Sequence, residues 1–430
     1  MAVTAAPVEK FAERYIAANP RSRDYFERAA QALTGGTTRT TTFFDPYPPC
    51  IDHGAGSATW DLDGNRRTDF LNNYTSLILG HAHPAVVEAT TRAMELGSAF
   101  AAPTEYELRL ANLIKARVAS VERVRLTNSG TEATMFAMRM ARAITGRSMI
   151  AKFEAGYHGT HDYAAASVSS GIPDEVKALM LDLPYNDIEG TEQRLERYKD
   201  RVAAVIIEPV QGSGGVIPAD KAFLERLREL TSAWGMLLIF DEVISLRISP
   251  GGAQEYYGVS PDLTTMGKII GGGYPVAAVG GREEVMAAMD QRRGTGFVPH
   301  GGTFNGNPVG AAAGIATLER LTPDVYERLN VLGERVRMGL GDLFERRGVP
   351  ATVTGIGSLF NIHATREVVR DNRAVQRGDA RFLKALMLGL MNEGYWLAPR
   401  GMGCISTPMD ESTVDGLVAA SERVIDQMEA

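Results

Sequence analysis

Short apolar runs alternate with helical patterns through the middle of this chain, and no other sequence feature restricts its fold as much. Strand-like runs, several of them apolar throughout, lie at residues 121–128, 148–154, 203–210, 236–243 and 275–281. Continuous apolar strands are typical of a parallel sheet that is covered on both faces. Residues 132–144 and 221–235 carry the apolar spacing of helices. The sequence therefore predicts an α/β fold whose large domain has a mostly parallel central sheet flanked by helices.

The two ends of the chain follow a different pattern. Residues 45–72 are typical of a small antiparallel meander, and the carboxy-terminal part has helices around a strand-like piece at 355–364, with a last helix from Ser412. We therefore expect a smaller α+β domain built from both termini. The predicted segments are 1–75 and 316–430 for the small domain and 76–315 for the large domain.

Composition excludes several classes of protein. Hydrophobic residues make up 44% of the 430 residues and charged residues 23%, as in ordinary globular proteins. The net charge of −7 argues against nucleic acid or an acidic membrane surface as a partner. The first 20 residues lack the pattern of a signal peptide, and the two cysteines, Cys50 and Cys404, exclude a disulfide framework. We expect a cytoplasmic protein with no membrane partner.

A turn of small polar residues joins the strand at 121–128 to the helix after it. Ser129, Gly130 and Thr131 lie where the strand gives way to the helix. Free N–H groups and the positive dipole end make a helix N-terminus an anion site, and the two hydroxyls would add donors. One interpretation is a phosphate site. The other is an ordinary serine N-cap beside Glu132.

Two more groups follow other strands. Tyr157 comes after the second strand, at the end of a parallel sheet where ligands usually bind. Asp241 and Glu242 end the strand at 236–243, and a carboxylate there is costly to bury without a cation or a protonated base. Each group also has an ordinary structural explanation, as a core tyrosine or as a cap of the next turn.

Lys268 stands just before three glycines, residues 271–273. In the phosphate loop of nucleotide hydrolases the glycines precede the lysine, so that motif does not fit. Glycine permits close approach of the backbone to a ligand, which suits a reactive amine, although a surface turn would also explain it. No G-x-G-x-x-G with an acidic residue about 20 positions later follows a strand, which disfavours a dinucleotide enzyme.

Together these groups supply what pyridoxal 5'-phosphate needs. They offer an anion site for the phosphate, an aromatic side chain that can stack on the ring, an acid that can pair with the pyridine nitrogen and an amine for a Schiff base. The same amine would then move a proton on the substrate.

The chain resembles the class III, fold-type I pyridoxal-phosphate aminotransferases from about Arg39 to its end. The matching segments are SGTEA (129–133), GYHG (156–159), IIEPV (206–210), DEV (241–243), GKIIGGGYP (267–275) and HGGTFNGNP (300–308). The resemblance implies amino acid and oxo acid substrates and a homodimer with shared active sites. No metal site is expected, because no third ligand accompanies His81 and His83.

The resemblance also implies roles for the matched residues. Lys268 would bind the cofactor covalently, and Asp241 would pair with the pyridine nitrogen. Further cofactor contacts are expected from residues around the ring and the phosphate, namely Ser129, Gly130, Thr131, Tyr157, His158, Glu208 and Val243. Thr303 would reach the phosphate of the neighbouring subunit.

Two branches of the family compete for the substrate assignment. One is the glutamate-1-semialdehyde aminomutase, whose glycine-rich lysine segment is very similar. Its serine–aromatic–glutamate stretch is replaced here by LAPRGMGC at 397–404. The other branch comprises β-amino-acid aminotransferases such as β-phenylalanine aminotransferase. By resemblance, Arg39 receives the substrate carboxylate, since a guanidinium donates two parallel hydrogen bonds. Arg400 is a second candidate, and Tyr74 would border the pocket.

We therefore expect an aminotransferase that moves an amino group from a β-amino acid to 2-oxoglutarate or pyruvate by a ping-pong mechanism. A 2,1-aminomutase and a D-phenylglycine-type aminotransferase are the alternatives. The family's usual DEV-x-[ST]-G-F-x-R pattern is DEVISLRIS here, so the loop after Val243 departs from it. His81 and His83 are interpreted as part of a structural loop. Phe43, Phe44 and Tyr47 suit either an apolar pocket or packing of the amino-terminal segment.

Overall fold

A computed structural model describes residues 5–429, and contacts along the chain divide it into two compact units. Unit 1 consists of the described parts of Met1–His83, Leu329–Val368 and Arg373–Ala430. Unit 2 consists of Pro84–Arg328 and Val369–Asn372. The domain boundaries expected from the sequence, at 75/76 and 315/316, stay a prediction.

The amino-terminal part of unit 1 combines helices with an antiparallel meander. Its elements are α1 (Ala5–Ala18), α2 (Pro20–Ala29), β1 (Ile51–Ala55), β2 (Ala58–Asp61), β3 (Arg66–Asp69) and α3 (Asn72–Thr75). The turn between β2 and β3 is held by Asp61, whose Oδ1 accepts hydrogen bonds from the backbone N–H groups of Asp63 and Asn65 at 3.0 and 2.8 Å. The predicted meander is thus present.

The segment α3 is one turn of left-handed helix. Asn72, Asn73, Tyr74 and Thr75 have φ angles of +48°, +48°, +53° and +76°. Four consecutive non-glycine residues in this region are unusual, because the left-handed conformation brings Cβ close to the following carbonyl oxygen.

Unit 2 alternates strands and helices, as the sequence predicts. Its strands are β4 (Arg123–Thr127), β5 (Met149–Phe153), β6 (Met180–Leu183), β7 (Val202–Ile207), β8 (Val210–Gln211), β9 (Ile217–Pro218), β10 (Leu237–Asp241), β11 (Leu263–Met266) and β12 (Ala277–Gly281). Its helices are α4 (Pro84–Leu96), α5 (Glu105–Arg117), α6 (Gly130–Thr145), α7 (Asp162–Ala165), α8 (Asp174–Lys177), α9 (Ile188–Arg197), α10 (Lys221–Ala233), α11 (Ala253–Tyr257), α12 (Glu283–Met286) and α13 (Pro308–Leu318).

A seven-stranded sheet forms the centre of unit 2, in the order β4-β12-β11-β10-β7-β5-β6. Strand β12 is antiparallel to both neighbours, and the other strands run in one direction. The predicted α/β fold with a mostly parallel central sheet is confirmed. Strand β6, which the sequence reading did not identify, is the edge strand beyond β5.

Helix α6 shows why the chain turns from strand to helix after β4. The Ser129 side chain accepts a hydrogen bond from the Glu132 backbone N–H at 3.2 Å, and Glu132 reaches back to the Asn128 N–H at 2.9 Å. Such paired caps satisfy N–H groups that have no partner within the helix. Gly146 ends the helix with φ +68°. Apolar residues of α6, among them Phe136 and Met140, pack against Ile150 and Ile206 of the sheet.

The remaining helices and strands complete the two units. They are α14 (Pro323–Arg346), β13 (Thr352–Ile356), β14 (Leu359–His363), α15 (Asn372–Gln376), α16 (Ala380–Asn392), β15 (Tyr395–Trp396), β16 (Met402–Cys404) and α17 (Glu411–Glu429). Strand β15 joins the meander beside β3, and β13, β14 and β16 form an antiparallel sheet. Short 3-10 helices lie at Thr34–Gly36, Thr40–Thr42, Ser245–Arg247, Lys268–Gly271, Ala287–Met289 and Gln291–Arg293. Within residues 5–429, no helix has the length and apolar character needed to cross a bilayer.

Candidate active site

Several predicted site residues lie at one edge of the unit 2 sheet. The turn at 129–131 follows β4, Tyr157 and His158 follow β5, and Glu208 follows β7. Asp241 is the last residue of β10, and Lys268 comes two residues after β11. Because these five strands run in the same direction, their carboxyl ends meet at a common edge, which is where open α/β sheets bind ligands.

Asp241 is buried, with 3% of its surface exposed, and both oxygens of its carboxylate have hydrogen-bonding partners. Its Oδ2 lies 2.8 Å from Nδ1 of His158. Its Oδ1 accepts hydrogen bonds from the Thr265 hydroxyl at 3.1 Å and the Val243 N–H at 3.2 Å. These contacts fix the orientation of a carboxylate that is ready to meet a protonated ring nitrogen.

Glu208 is a second buried carboxyl beside Asp241. Its oxygens accept hydrogen bonds from the backbone N–H groups of Tyr157 at 2.9 Å and Gly212 at 3.2 Å. Burial raises the pKa of Glu208 to about 7, while His158 lowers it and the carboxylate of Asp241 raises it further. Glu208 therefore changes its charge near neutral pH.

The amine of Lys268 is in a setting that favours its neutral form. Burial lowers the Lys268 pKa, and the fully buried guanidinium of Arg247 lowers it too, whereas Asp241 and Glu208 act in the opposite direction. A neutral amine is the nucleophilic form. The residue itself has a left-handed backbone, with φ +50°.

The turn before α6 forms a close-fitting cup. A Cβ atom on Gly130 would lie 3.1 Å from Cγ2 of Val243, and one on Gly159 would lie 2.5 Å from Oγ1 of Thr131. The Thr131 hydroxyl also accepts a hydrogen bond from the Thr160 N–H at 3.3 Å. A side chain at either position would collide with these neighbours, so both glycines allow the surrounding segments to approach closely.

These residues fit pyridoxal 5'-phosphate. The helix N-terminus and the two hydroxyls suit its phosphate, and the carboxylate of Asp241 suits its pyridine nitrogen. Tyr157 leaves 51% of its surface exposed, so its ring is available for stacking. The amine of Lys268 completes the set of groups that the cofactor needs.

His158 lies behind Asp241 and is itself buried, with 1% of its surface exposed. Its ring supports the carboxylate through Nδ1. The structure thus places this predicted cofactor contact where it orients Asp241.

Arg39, Tyr74 and Arg400 belong to unit 1, and the structure groups them with one another. Burial raises the pKa of Tyr74, while Arg400 and Arg39 both lower it, so each guanidinium is within electrostatic reach of the ring. Arg39 and Arg400 are exposed. Arg39 and Tyr74 also line a cavity of about 300 Å³ together with Phe43, Phe44 and Trp396.

Thr303 is exposed in the segment that precedes α13. This segment is attached to the turn after β4, because the Asn128 amide donates a hydrogen bond to Oδ1 of Asn305 at 2.7 Å.

Glu242 does not share the role of Asp241. Its carboxylate accepts hydrogen bonds from the Ser245 hydroxyl at 3.0 Å and the N–H groups of Ala253 and Gln254 at 2.5 and 3.0 Å. It holds the start of α11 and the loop after β10.

The histidines at 81 and 83 form no metal site. Nε2 of His81 lies 2.7 Å from Oδ2 of Asp69. Among the residues that the structure describes, no cluster of His, Cys, Asp and Glu side chains could hold a metal ion.

Two residues of the site were not predicted from the sequence. Thr265 faces Asp241 because β10 and β11 pair in that register. Arg247 is 0% exposed although it carries a charge and lies in the loop after β10. Strand register is not visible in one sequence, but the departure of DEVISLRIS from the family pattern marked the loop that contains Arg247.

Comparison with known proteins identifies the family. The sequence profile of the class-III aminotransferases matches residues 44–409. The chain belongs to this family. The resemblance seen in the motifs is thereby confirmed, and so is the expectation of a transaminase-type enzyme that depends on pyridoxal 5'-phosphate. A similar transaminase, 39% identical with a TM-score of 0.91, has this cofactor bound in its solved structure.

Individual members of the class-III aminotransferases are similar over nearly their whole length. A glutamate-1-semialdehyde 2,1-aminomutase from Methanothermobacter thermautotrophicus is 40% identical over 417 residues, which cover 94% of this chain and 99% of the relative. An omega-transaminase from Sphaerobacter thermophilus is 46% identical, with a TM-score of 0.93 and coverage of 95% and 98%. A β-phenylalanine aminotransferase from Variovorax paradoxus is 38% identical, with a TM-score of 0.93 and coverage of 98% and 97%.

Proposed function

We propose that this class-III aminotransferase moves an amino group from a β-amino acid to an oxo acid by a ping-pong mechanism. The observation that carries the aminotransferase chemistry is the common sheet edge at which the turn at 129–131, the carboxylate of Asp241 and the amine of Lys268 meet. The acceptor would be 2-oxoglutarate or pyruvate.

In this proposal the residues of unit 2 divide the work on the cofactor. The turn of Ser129, Gly130 and Thr131 binds the phosphate at the start of α6. Asp241, oriented by His158 and Thr265, holds a proton on the pyridine nitrogen. Bound pyridoxal phosphate supplies an electron sink for negative charge on the substrate carbon.

Lys268 would hold the cofactor covalently through Nζ. The same Nζ, as a free amine, would take the proton from the substrate carbon and later return one. The lowered pKa of Lys268 supports this role, because only an unprotonated amine can accept a proton.

The substrate carboxylate is assigned to Arg39, with Arg400 as a second guanidinium. Support comes from their common reach to Tyr74 and from the cavity beside Arg39, whose lining includes Phe43, Phe44 and Trp396. A guanidinium pair suits an enzyme that accepts an amino acid and then a different oxo acid. The similarity to a β-phenylalanine aminotransferase supports a β-amino acid as the donor.

A 2,1-aminomutase is the second candidate. The curated relatives at 38–41% identity carry the name glutamate-1-semialdehyde 2,1-aminomutase, and these names favour the second candidate over a β-amino acid as donor. Such an enzyme moves the amino group within one molecule and needs no acceptor.

One experiment separates the two candidates. The purified holoenzyme is given α-, β- and ω-amino acids of both hands, each with 2-oxoglutarate, with pyruvate or with no oxo acid, and glutamate-1-semialdehyde alone. We expect turnover of a β-amino acid only when an oxo acid is present. Turnover of the semialdehyde without an oxo acid would replace the proposal with the aminomutase, and preference for an α- or ω-donor would refute the β-amino acid.

We also propose a homodimer with shared active sites. Large apolar side chains are exposed on unit 2, among them Val87, Met94, Leu96, Phe100, Leu108 and Phe304. Phe304 directly follows Thr303, the residue that the family resemblance assigns to the neighbouring subunit's phosphate. Sedimentation should give the mass of two chains, and replacing both Met94 and Leu96 with glutamate should shift it toward one. A monomeric wild type would contradict the proposal.

A further inference from the structure

The left-handed turn α3 lies beside the arginine that is assigned to the substrate carboxylate. Each non-glycine residue in this conformation is strained, and tyrosine and threonine tolerate it less well than asparagine. Such backbone persists where its surroundings hold it in place, and it clusters at sites where geometry matters for function.

The surroundings of α3 hold its first residue from two directions. Asp69 accepts hydrogen bonds through Oδ1 from the N–H groups of Leu71 at 2.9 Å and Asn72 at 2.8 Å. The Asn72 amide donates to the carbonyl oxygen of Cys404 at 3.1 Å. The turn therefore has a fixed starting point.

Two neighbouring side chains of α3 contact the segment that contains Arg39. Oδ1 of Asn73 accepts a hydrogen bond from Nη2 of Arg39 at 3.0 Å. The Tyr74 hydroxyl donates to the carbonyl oxygen of Thr41 at 2.5 Å. Asn73 thus binds the guanidinium of Arg39, and Tyr74 binds the backbone of Thr41, two residues further along the chain.

The amide of Asn73 is itself oriented. Its Nδ2 donates to the Ser76 hydroxyl at 3.0 Å, and that hydroxyl donates to the Asn73 carbonyl oxygen at 3.1 Å. Because the nitrogen end is occupied by Ser76, the oxygen end faces Arg39, which can only donate.

We propose that α3 is a clamp that orients the guanidinium of Arg39 for the substrate carboxylate, with Asn73 as its positioning residue. This inference rests on the role that the proposed function gives Arg39. Arg39 is an exposed side chain with many rotamers, so without the clamp each binding event would have to order it. The hydrogen bond to Asn73 uses one edge of the guanidinium and leaves other N–H groups for the ligand.

Asn73→Gly tests the clamp. Glycine keeps the left-handed backbone without strain but removes the acceptor for Arg39. The KM for the amino donor should rise about fivefold to tenfold while kcat stays within about twofold, because the interaction is made in ground state and transition state alike. The visible absorbance band of the bound cofactor should not change.

Asn186→Gly is the matched control, since Asn186 is another left-handed asparagine, with φ +56°, in unit 2. It should leave KM unchanged. Adding Asn73→Gly to Arg39→Met should give no further rise in KM, because the residue that it positions is gone. Full additivity in this double variant, or an unchanged KM in Asn73→Gly alone, would overturn the clamp.

The clamp and the assignment of Arg39 to the substrate carboxylate can be disproved separately. If Arg39→Met raises KM but Asn73→Gly does not, the clamp is wrong and the carboxylate site stands. If Arg39→Met itself leaves KM unchanged, the assignment of Arg39 is wrong, and the clamp falls with it. A parallel loss of kcat and melting temperature in Asn73→Gly would show that α3 has only a structural role.

Discussion

Lys268 combines a left-handed backbone with an amine whose pKa is lowered by burial. A lysine with φ +50° is strained, and that strain sits on the residue that carries the proposed chemistry. The neighbouring charges oppose one another, since Asp241 and Glu208 raise the Lys268 pKa while Arg247 lowers it. Burial is the largest of these influences, so the Lys268 pKa lies below its ordinary value.

Lys268→Ala should abolish turnover. The variant loses the nucleophile and the group that moves the proton, so borohydride should no longer attach the cofactor to the chain. Mass spectrometry after reduction measures the attachment. Lys221→Ala, at the start of α10 on the surface, is the control and should behave like the wild type. Full turnover in Lys268→Ala would disprove the assignment.

Glu208→Gln should change how stability depends on pH. The folded-state pKa of about 7 lies above the ordinary value of 4.5, so the folded protein binds an extra proton between these values. The contribution of Glu208 to stability is therefore greatest below the lower value and is lost as pH rises toward the higher one. Glutamine cannot titrate and should remove this slope.

The comparison is the melting temperature of wild type and Glu208→Gln from about pH 4.5 to pH 8 at equal cofactor saturation. The variant should gain stability relative to the wild type as pH rises. Glu225→Gln, at an exposed site of α10, should follow the wild type in parallel. Parallel curves for Glu208→Gln would contradict the raised pKa.

Single residues were predictable where their chemistry follows from their position in a motif. Asp241 lies in the strand-like run at 236–243 and Lys268 precedes three glycines, and their residue types indicated which cofactor the site would bind. Thr265 and Asn73 were missed because their importance lies in contacts. Asn73 accepts a hydrogen bond from Arg39, which is 34 residues away in the sequence, and no local sequence pattern indicates this contact.

The loop after β5 and the start of α6 fit together through a glycine. Gly159 has φ +99°, and an added Cβ would lie 2.5 Å from Oγ1 and 2.7 Å from Cα of Thr131. The proposed phosphate site therefore requires the loop after β5 to lie close to the start of α6.

Gly159→Ala should weaken cofactor binding by about tenfold or more, because the new methyl group would push Thr131 out of the cup. Gly171→Ala is the matched control. Its φ is also positive, at +83°, but a Cβ there meets nothing within 4 Å. Both variants carry backbone strain, so the difference in Kd for pyridoxal phosphate isolates the clash. Equal affinities would show that the cup tolerates displacement.

The glycines after Lys268 have a different use from the one that the sequence suggested. The sequence favoured glycine as room for a ligand beside the amine. A Cβ on Gly272 would lie 2.6 Å from the carbonyl oxygen of Ala313 in α13, and one on Gly271 would lie 3.1 Å from Cβ of Val276. These two glycines let the 3-10 helix that begins at Lys268 pack closely against its protein neighbours.

Most strands of the central sheet were predicted from their runs of apolar residues. The five strand-like runs of the central region each overlap a strand of the sheet, and their ends shift by a few residues. Strand β6 was missed because it has only four residues and Asp182 interrupts its apolar sequence. The antiparallel direction of β12 was also out of reach, since direction depends on where the chain returns.

At the scale of the whole molecule, the two units assemble from distant stretches of sequence. Strand β15 joins β3 through pairs such as Trp396 with Asp69, more than 300 residues apart. The sequence predicted a small domain from both termini because both ends departed from the central pattern. The pairing partners were not predictable, because residues so far apart leave no periodic signal.

Cofactor binding should stabilise the folded protein by mass action. At a free concentration of about 100 times Kd, the gain is roughly 2.7 kcal/mol. Hydrogen exchange should slow most at the carboxyl ends of β4, β5, β10 and β11, where the site residues lie. Helix α9 provides the internal control. Protection of α9 equal to that of the strand ends would indicate global tightening in place of binding at the sheet edge.

The reversed strand β12 acts as a spacer in the sheet. It separates β4, which leads into the phosphate turn, from β11, which leads into Lys268. Neighbouring strands lie about 4.8 Å apart, so the two attachment points are offset by roughly 10 Å across the sheet. Since β12 runs the other way, it delivers its first residue, Ala277, to this edge and sends its following loop to the opposite one. The sheet therefore sets the distance between the turn after β4 and Lys268. The strand between them, β12, consists mostly of small residues, and its width is the gap that a flat ring and its phosphate arm can bridge.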